Sequence, residues 1–318
     1  MPVISIVVPV YNAGKYLEET MTCIVEQTIR DIEIICINDA STDDSLRILE
    51  QFAQKDTRIS IYSNSTNQGA AVSRNMGLDK AQSAYICFLD ADDIFARDMI
   101  ERAYDAICRY DADMAVVHSA HFKENPQEWN MWEFPWEEQC ISMANNTTGQ
   151  NLICAWEVAP WNKMYKKEFI EQYHLSYQNL QSSNDLFFGV MAVLLAGKIV
   201  LVGSNEPLVL YRTETKTQIS AKRVPINGYM AFEKIHDAMV KWNIWEKYFE
   251  SFFYFFYYGM IGQYNRCKDE EANRQTYDMI AQEGLQRLGF FEIAKDRFKD
   301  KSLYDKLWNY TSRSYDSV

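Results

Sequence analysis

Apolar and polar positions along the first hundred residues fall into two alternating kinds of block. "ISIVVPV" (4–10), "IEIICIN" (32–38), "RISIYS" (58–63) and "AYICFLD" (84–90) are short, nearly continuous apolar runs of strand length. Between them lie three segments of another period. "KYLEETMTCIVEQT" has Leu17, Met21, Ile24 and Val25 at helical spacing, and "DDSLRILEQFAQK" sets Leu46, Leu49 and Phe52 on one face. "AAVSRNMGLDKA" is the third. The order is therefore β-α-β-α-β-α-β, and strands apolar on both faces predict a parallel sheet covered by helices on both sides.

Beyond Asp98 the pattern loosens. "MIERAYDAICRY" (99–110) predicts a helix and "DMAVVHS" (113–119) a strand, followed by the Trp-rich "EWNMWEFPWEE" (128–138), which has no clear period. "SNDLFFGVMAVLLAG" (183–197) predicts a helix capped at Ser183 or Asn184 and stopped at Gly197. "KIVLV" and "PLVLYR" predict strands. From Val224 the chain is helical, aromatic and charged, so the polar "TETKTQISAKR" (213–223) sets a boundary between 1–222 and a helical C-terminal region, 223–318. The aromatic run "SFFYFFYYGMIGQY" (251–264) is shorter than the roughly 18–20 apolar residues a spanning helix needs, and it carries four tyrosines. It is predicted not to cross a membrane.

Composition narrows the function classes. A chain of 318 residues, 47% hydrophobic, buries a core that needs no disulfide or metal staple. A formal charge of −12 argues against nucleic acid as a partner and against general attraction to anionic lipid. It is compatible with an anionic substrate if a divalent cation bridges the two. The seven cysteines are scattered, with Cys36 and Cys87 inside apolar runs, which suits reduced thiols in a cytoplasmic protein. No basic n-region opens the chain, so no secretory signal is expected and the sequons at Asn64 and Asn146 carry no weight.

In parallel sheets ligands collect outside the carboxyl ends of the strands. That rule selects four loops: "PVYNAG" (9–14), "NDASTDD" (38–44), "NSTNQG" (64–69) and "DADD" (90–93). The last sets three carboxylates in four positions directly behind an apolar strand. Such hard oxygen donors suit Mg²⁺ or Mn²⁺ shared with substrate phosphates, yet Asp also gathers at helix N-termini for the dipole alone. In the second loop, Asp39 at a strand tip could accept a hydrogen bond from a base, while Ser41, Thr42 and Asp43 could do no more than cap a helix. Gly69 marks a turn, and Arg74 follows within reach of a phosphate or a loop carboxylate. His118 and His121 read as a solvated or packed pair. No GxGxxG or GxxxxGK[ST] motif occurs, which disfavours a dinucleotide oxidoreductase or a P-loop NTPase.

Taken together these loops resemble the family-2 glycosyltransferases, which have a GT-A fold. The resemblance rests on "PVYN" (9–12), "NDASTDDS" (38–45), "NQGAAVSRNMGL" (67–78), "FLDADD" (88–93), "WNKMYKKEFI" (161–170), "NDLFF" (184–188) and "YRTETKTQIS" (211–220). It covers the first 220 residues and leaves the last hundred unmatched. It implies a mostly parallel GT-A sheet with helices on both faces. Pro9, Tyr11, Asn12 and Asp39 would hold the nucleotide base, usually uracil, with Asn67, Gly69, Arg74, Asp90 and Ala91 completing the donor site. Asp92 would coordinate the metal, with Asp90 on the ribose or the metal's waters. Asp185 would be the general base, Trp161 and Asn184 would lie near the acceptor, and a mobile segment starting at Tyr211 and Arg212 would close over the donor.

Three positions depart from the family pattern: Ala40 stands for a Gly, Ser73 for an Ala, and Asn184 for the Glu of an "ED" pair. The last keeps the base and removes a neighbouring charge. The tryptophans at 129, 132, 136, 156 and 161 could stack on sugars or simply pack; packing is favoured for most, with Trp161 the best acceptor candidate.

The expectation is thus an inverting transferase that uses Mg²⁺ or Mn²⁺. It would move a sugar from a nucleotide-sugar donor, a UDP-sugar first, to a saccharide or lipid-linked saccharide in bacterial surface polysaccharide synthesis. The C-terminal region would supply acceptor contacts, homodimerisation or peripheral membrane docking. A sugar-nucleotide nucleotidyltransferase and a non-catalytic nucleotide-sugar binder are the alternatives. The first normally wants a Gly-rich basic N-terminal loop, which "PVYNAGK" is not.

Overall fold

The computed structural model describes residues 2–131, 137–143, 158–213, 224–263 and 271–311. Its four leading apolar runs become β1 (Ile4–Val10), β2 (Ile32–Asn38), β3 (Ile59–Ser63) and β4 (Tyr85–Phe88), paired in parallel in the order β3-β2-β1-β4. In the register Val10 lies opposite Asn38 and Val7 opposite Phe88, so the loops leaving these strands emerge along one edge. The connecting helices are α1 (Leu17–Val25), α2 (Ser45–Ala53) and α3 (Ala70–Lys80). On one face of β1, Ile4, Ile6 and Val8 pack with Leu17, Met21 and Ile24 of α1 in a single fully buried cluster. On the other face, Gly77 of α3 sits so near β1 that an added Cβ would lie 2.2 Å from Val7 Cγ1. A helix glycine ordinarily costs about 1 kcal/mol against Ala. Here it admits the close approach of helix to strand that seats the start of α3 beside the loops.

The expected strand "DMAVVHS" is in fact two. β5 (Ile94–Phe95) and α4 (Met99–Tyr110) precede β6 (Met114–Val117), and β7 (Ser119–Phe122) belongs to a second sheet of order β5-β12-β7-β8. In that sheet β8 is Trp129–Met131 and β12 is Val209–Arg212. The switch falls on His118, buried, whose carbonyl accepts the N–H groups of both Leu208 and Val209. His118 and His121 are a packed pair, since His121 lies edge-on to Tyr211. The large sheet continues past β4 through β10 (Lys163–Lys166), antiparallel to both β4 and β6, and then β11 (Lys198–Val202), with β9 (Gln139–Ser142) at its edge. Strand β10 was hidden in "WNKMYKKEFI" because lysines flank Met164 and Tyr165. Lys163 is nevertheless buried, its Nζ donating to Ala159 O at 2.7 Å and Asn162 Oδ1 at 2.6 Å. Helix α5 (Lys167–Gln172) follows it.

The chain divides into two compact units: Met1–Asn146, Ala159–Asn179 and Leu195–Ala221 form the first, and Thr147–Val158, Leu180–Leu194 and Lys222–Val318 the second. The second contains most of α6 (Leu186–Leu195), together with α7 (Pro225–Lys241), α8 (Trp245–Gly259), α9 (Glu271–Met279) and α10 (Lys301–Thr311). The run "SFFYFFYYG" turns its Phe face inward. Phe252, Phe253 and Phe256 are buried against Phe232 and Phe290, and Tyr258 stays outside. Among the described residues no helix is long and apolar enough to cross a membrane. The expected boundary at 222/223 lies in a stretch outside the described residues.

Candidate active site

The loops after β1 and β2 are tied into one surface. Asn12 adopts left-handed backbone (φ 49), donates its N–H to Ser41 Oγ at 3.1 Å and accepts from Thr42 N at 2.8 Å through Oδ1. Tyr11 beside it is half exposed, and Pro9 lies in β1 opposite Ile37. Of Ser41, Thr42 and Asp43, only Asp43 reaches the start of α2, accepting from Ser45 N at 3.0 Å through Oδ1, and its Oδ2 also accepts from Gly14 N at 2.9 Å.

Asp39 is buried at the tip of β2, and its carboxylate organises the third loop. Oδ1 accepts from Asn64 Nδ2 at 2.6 Å and Gln68 N at 2.9 Å, and Oδ2 accepts from Gly69 N at 2.7 Å. Asn67 is exposed on that loop. The two glycine-type positions here differ in what occupies them. Gly69 has φ 88 and ψ 161, a region essentially reserved for glycine, and a Cβ there would meet nothing within 4 Å. Ala40 has φ 58, which costs an L-residue about 1–2 kcal/mol. Ala40→Gly is expected to stabilise the protein by about 0.5–1 kcal/mol after the added chain entropy is subtracted. Gly69→Ala is expected to cost about 1–3 kcal/mol from backbone strain alone. Urea unfolding of the two variants checks both signs.

Behind β4 the chain turns through Asp90, Ala91, Asp92 and Asp93. Arg74, buried on α3, pairs with Asp90 at 2.5 Å (Nη2 to Oδ1), and its guanidinium lies 5.4 Å from the Tyr177 ring centroid. Of the two partners foreseen for Arg74, it takes the loop carboxylate. Neighbouring Asn75 holds Tyr177 in place by two 2.9 Å hydrogen bonds to its main chain. Asp92 is pushed up to about 6, first by burial and next by the charge of Asp90, with Arg212 and Arg74 opposing. Asp93 is fully buried and held well above the usual carboxylate range by burial, then by Asp92 and Asp90. Its Oδ1 accepts from Arg212 N at 2.9 Å, and Oδ2 has no hydrogen-bond partner among the described residues.

This donor set fits a divalent cation. The negative charge of Asp92, disfavoured by burial and by the neighbouring Asp90, gains from a positive ion beside it. Among the described residues no group of three or more His, Cys, Asp or Glu side chains makes a complete cage. One or two carboxylates are the usual protein share where substrate phosphates complete the shell of Mg²⁺ or Mn²⁺.

Tyr211 and Arg212, expected at the start of a mobile segment, are strand residues of β12. Tyr211 stacks on Trp161 with centroids 4.9 Å apart and planes 8° from parallel. Trp161 is 3% exposed within the apolar cluster, so packing holds this residue, the one favoured for the acceptor. Residues 214–223 of the expected segment, and Trp132, Trp136 and Trp156, lie outside the described residues.

Asp185 and Asn184 belong to the second unit. The first i→i+4 bond of α6 runs from Gly189 N to Asp185 O, so the cap position is Asp185 and not Ser183 or Asn184. Ser183 sits in left-handed backbone (φ 55), and Asn184 is buried with Nδ2 3.4 Å from Leu180 O. Ser182 Oγ accepts from Val224 N at 3.1 Å and Asn227 Nδ2 at 3.4 Å, which anchors this turn to the start of α7.

A family model for glycosyl transferase family 2 matches residues 5–173, more than half of the 318. The chain belongs to this family. Among curated proteins, this glycosyltransferase is 35% identical over 215 residues to glycosyltransferase GlyG of Streptococcus pneumoniae, covering 66% of this chain and 70% of GlyG. It is 40% identical over 101 residues to TuaG of Bacillus subtilis, a glycosyltransferase named for teichuronic acid biosynthesis, covering 32% of this chain and 40% of TuaG. Among solved structures, S. aureus TarS 1–349 in complex with UDP-GlcNAc superposes with a TM-score of 0.80 at 18% identity, over 97% of this chain and 88% of that one. The fold is accordingly GT-A, and the chain is a glycosyltransferase with relatives in polysaccharide biosynthesis.

Proposed function

We propose that this glycosyltransferase moves a sugar from a nucleotide-sugar, a UDP-sugar, to a saccharide or lipid-linked saccharide acceptor, with inversion and with the aid of Mg²⁺ or Mn²⁺. The observation that carries the reading is the Asp90–Asp92 turn at the carboxyl end of β4, with Arg74 locked on Asp90. The bound UDP and UDP-GlcNAc of the two TarS complexes support a UDP-sugar by likeness of fold.

The first unit binds and orients the donor. Tyr11, Asn12 and the Asp39-ordered loop to Gly69 offer the base a surface already braced by hydrogen bonds. Asp92, with Asp90, would hold the cation, which when bound supplies positive charge to the departing diphosphate. Asp185 takes the proton of the acceptor hydroxyl as that oxygen bonds to the anomeric carbon and the bond to the diphosphate breaks. The second unit would supply contacts to the acceptor, to a second copy, or to the inner face of a membrane in the cytoplasm.

The test is a panel of UDP-, GDP- and CDP-sugars with Mn²⁺ or with EDTA, followed by binding calorimetry and product analysis. Metal-dependent UDP binding and slow release of free UDP are expected. Pyrophosphate release would assign a nucleotidyltransferase instead, and binding with no turnover across the panel a non-catalytic role.

A further inference from the structure

Arg212 holds the acidic turn from behind. Its backbone N–H donates to Asp93 Oδ1 at 2.9 Å, its Nε to Asp92 O at 2.8 Å, and its Nη2 to Glu19 Oε2 at 2.8 Å. The guanidinium lies 4.3 Å from the Tyr16 ring centroid and 4.5 Å from that of Phe122, and the residue is 6% exposed. Helix α1 adds to the hold, since Thr20 Oγ1 donates to Asp93 O at 2.8 Å.

A guanidinium presents its donors in a rigid planar fork, and burying its charge is tolerable only when those donors are used. Here Nε is used on the turn's own main chain and Nη2 on Glu19. Turning these two donors toward a donor phosphate would break the contacts to Asp92 and Glu19. We propose that Arg212 is a positioning residue for Asp92: anchored by Glu19, it fixes the turn from the β12 side while Arg74 fixes Asp90 from the α3 side. Glu19 thereby acts on the metal site without touching it. This rests on Asp92 being the metal-binding carboxylate.

The experiment is a Mn²⁺ titration of the UDP-bound protein by electron paramagnetic resonance, with UDP affinity measured separately in EDTA. Arg212→Lys is expected to weaken Mn²⁺ about 10–100-fold, the usual loss when a residue orienting a metal ligand is removed. Its UDP affinity in EDTA should stay within about twofold of the parent. Glu19→Gln, on an exposed helix position, should move Mn²⁺ affinity in the same direction by about two- to fivefold, as for an ion pair open to solvent. It carries the test if Arg212→Lys does not fold. Loss of UDP affinity in EDTA with Mn²⁺ affinity unchanged would make Arg212 a phosphate contact and overturn the proposal. So would unchanged Mn²⁺ affinity in both variants. Asp92→Asn separates the underlying reading. If it keeps parental Mn²⁺ affinity, Asp92 is not the metal's carboxylate, whatever the other two variants do.

Discussion

Replacing Asp185 by Asn is expected to lower sugar transfer by about 10²–10⁴-fold while affinity for UDP and Mn²⁺ stays within a few-fold. The substitution keeps the shape of the side chain and removes the proton acceptor. Asp185 caps α6 through its main chain, whose carbonyl takes the Gly189 N–H, and this bond survives in the variant. The turn also keeps its Ser182 anchor to α7. A structural cap would show the opposite pattern, because Asn is nearly as good a cap as Asp. Transfer surviving within a few-fold would therefore place the base elsewhere, and collapse of UDP binding would move Asp185 to the donor side. Steady-state transfer and UDP calorimetry on the same preparation separate the three outcomes.

Asp92→Asn should abolish the metal dependence of UDP binding and yet leave a more stable protein above pH 6. The sign follows from the raised native value. In the folded protein Asp92 keeps its proton up to about 6, whereas in the unfolded chain it loses it near the ordinary carboxylate value of about 3.9. Between these values the native state binds more protons, so stability falls as pH rises through the window. Above it, the folded protein carries a buried charge next to Asp90 at a cost of about 1–3 kcal/mol. Asn removes the charge. Urea unfolding should show the parent losing stability from pH 5 to pH 7.5 and the variant losing less. Asp93, raised for the same reasons, keeps some of the slope in both. Equal stability at pH 7.5 would mean that Asp92 is not strained by its surroundings. Such a trade of stability for function is expected of the proposed cation-binding turn, since carboxylates that bind a cation repel one another without it.

Much of the candidate site was legible because it lies at strand ends. An apolar run of strand length followed at once by a polar loop marks where a ligand can collect, and the four loops so marked carry Asn12, Asp39, Gly69 and Asp90–Asp93. What could not be read was the set of partners each side chain takes. Asp39 was expected to face the nucleotide base, and the three donors of the 64–69 loop that converge on it were not foreseen. Arg212 was expected at the start of a mobile segment, and Trp161 near the acceptor; both side chains are buried. Glu19 gave no signal, as an exposed acid on the first turn of an amphipathic helix has none to give.

By itself the sequence determined the alternation of strand and helix, the parallel pairing it requires, and the edge along which the polar loops gather. These depend on local period and on burial, both of which are properties of short stretches. Only the tertiary structure decided the break of "DMAVVHS" into two sheets at His118, the insertion of β10 against β4, and the convergence of α1, α3 and β12 on the acidic turn. Each joins residues far apart in the chain, Glu19 with Arg212 and Arg74 with Asp90 among them, through contacts of a few ångströms. A hydrophobic period records that a side chain is buried. It does not record which neighbour buries it, and the chemistry of this turn depends on the neighbour.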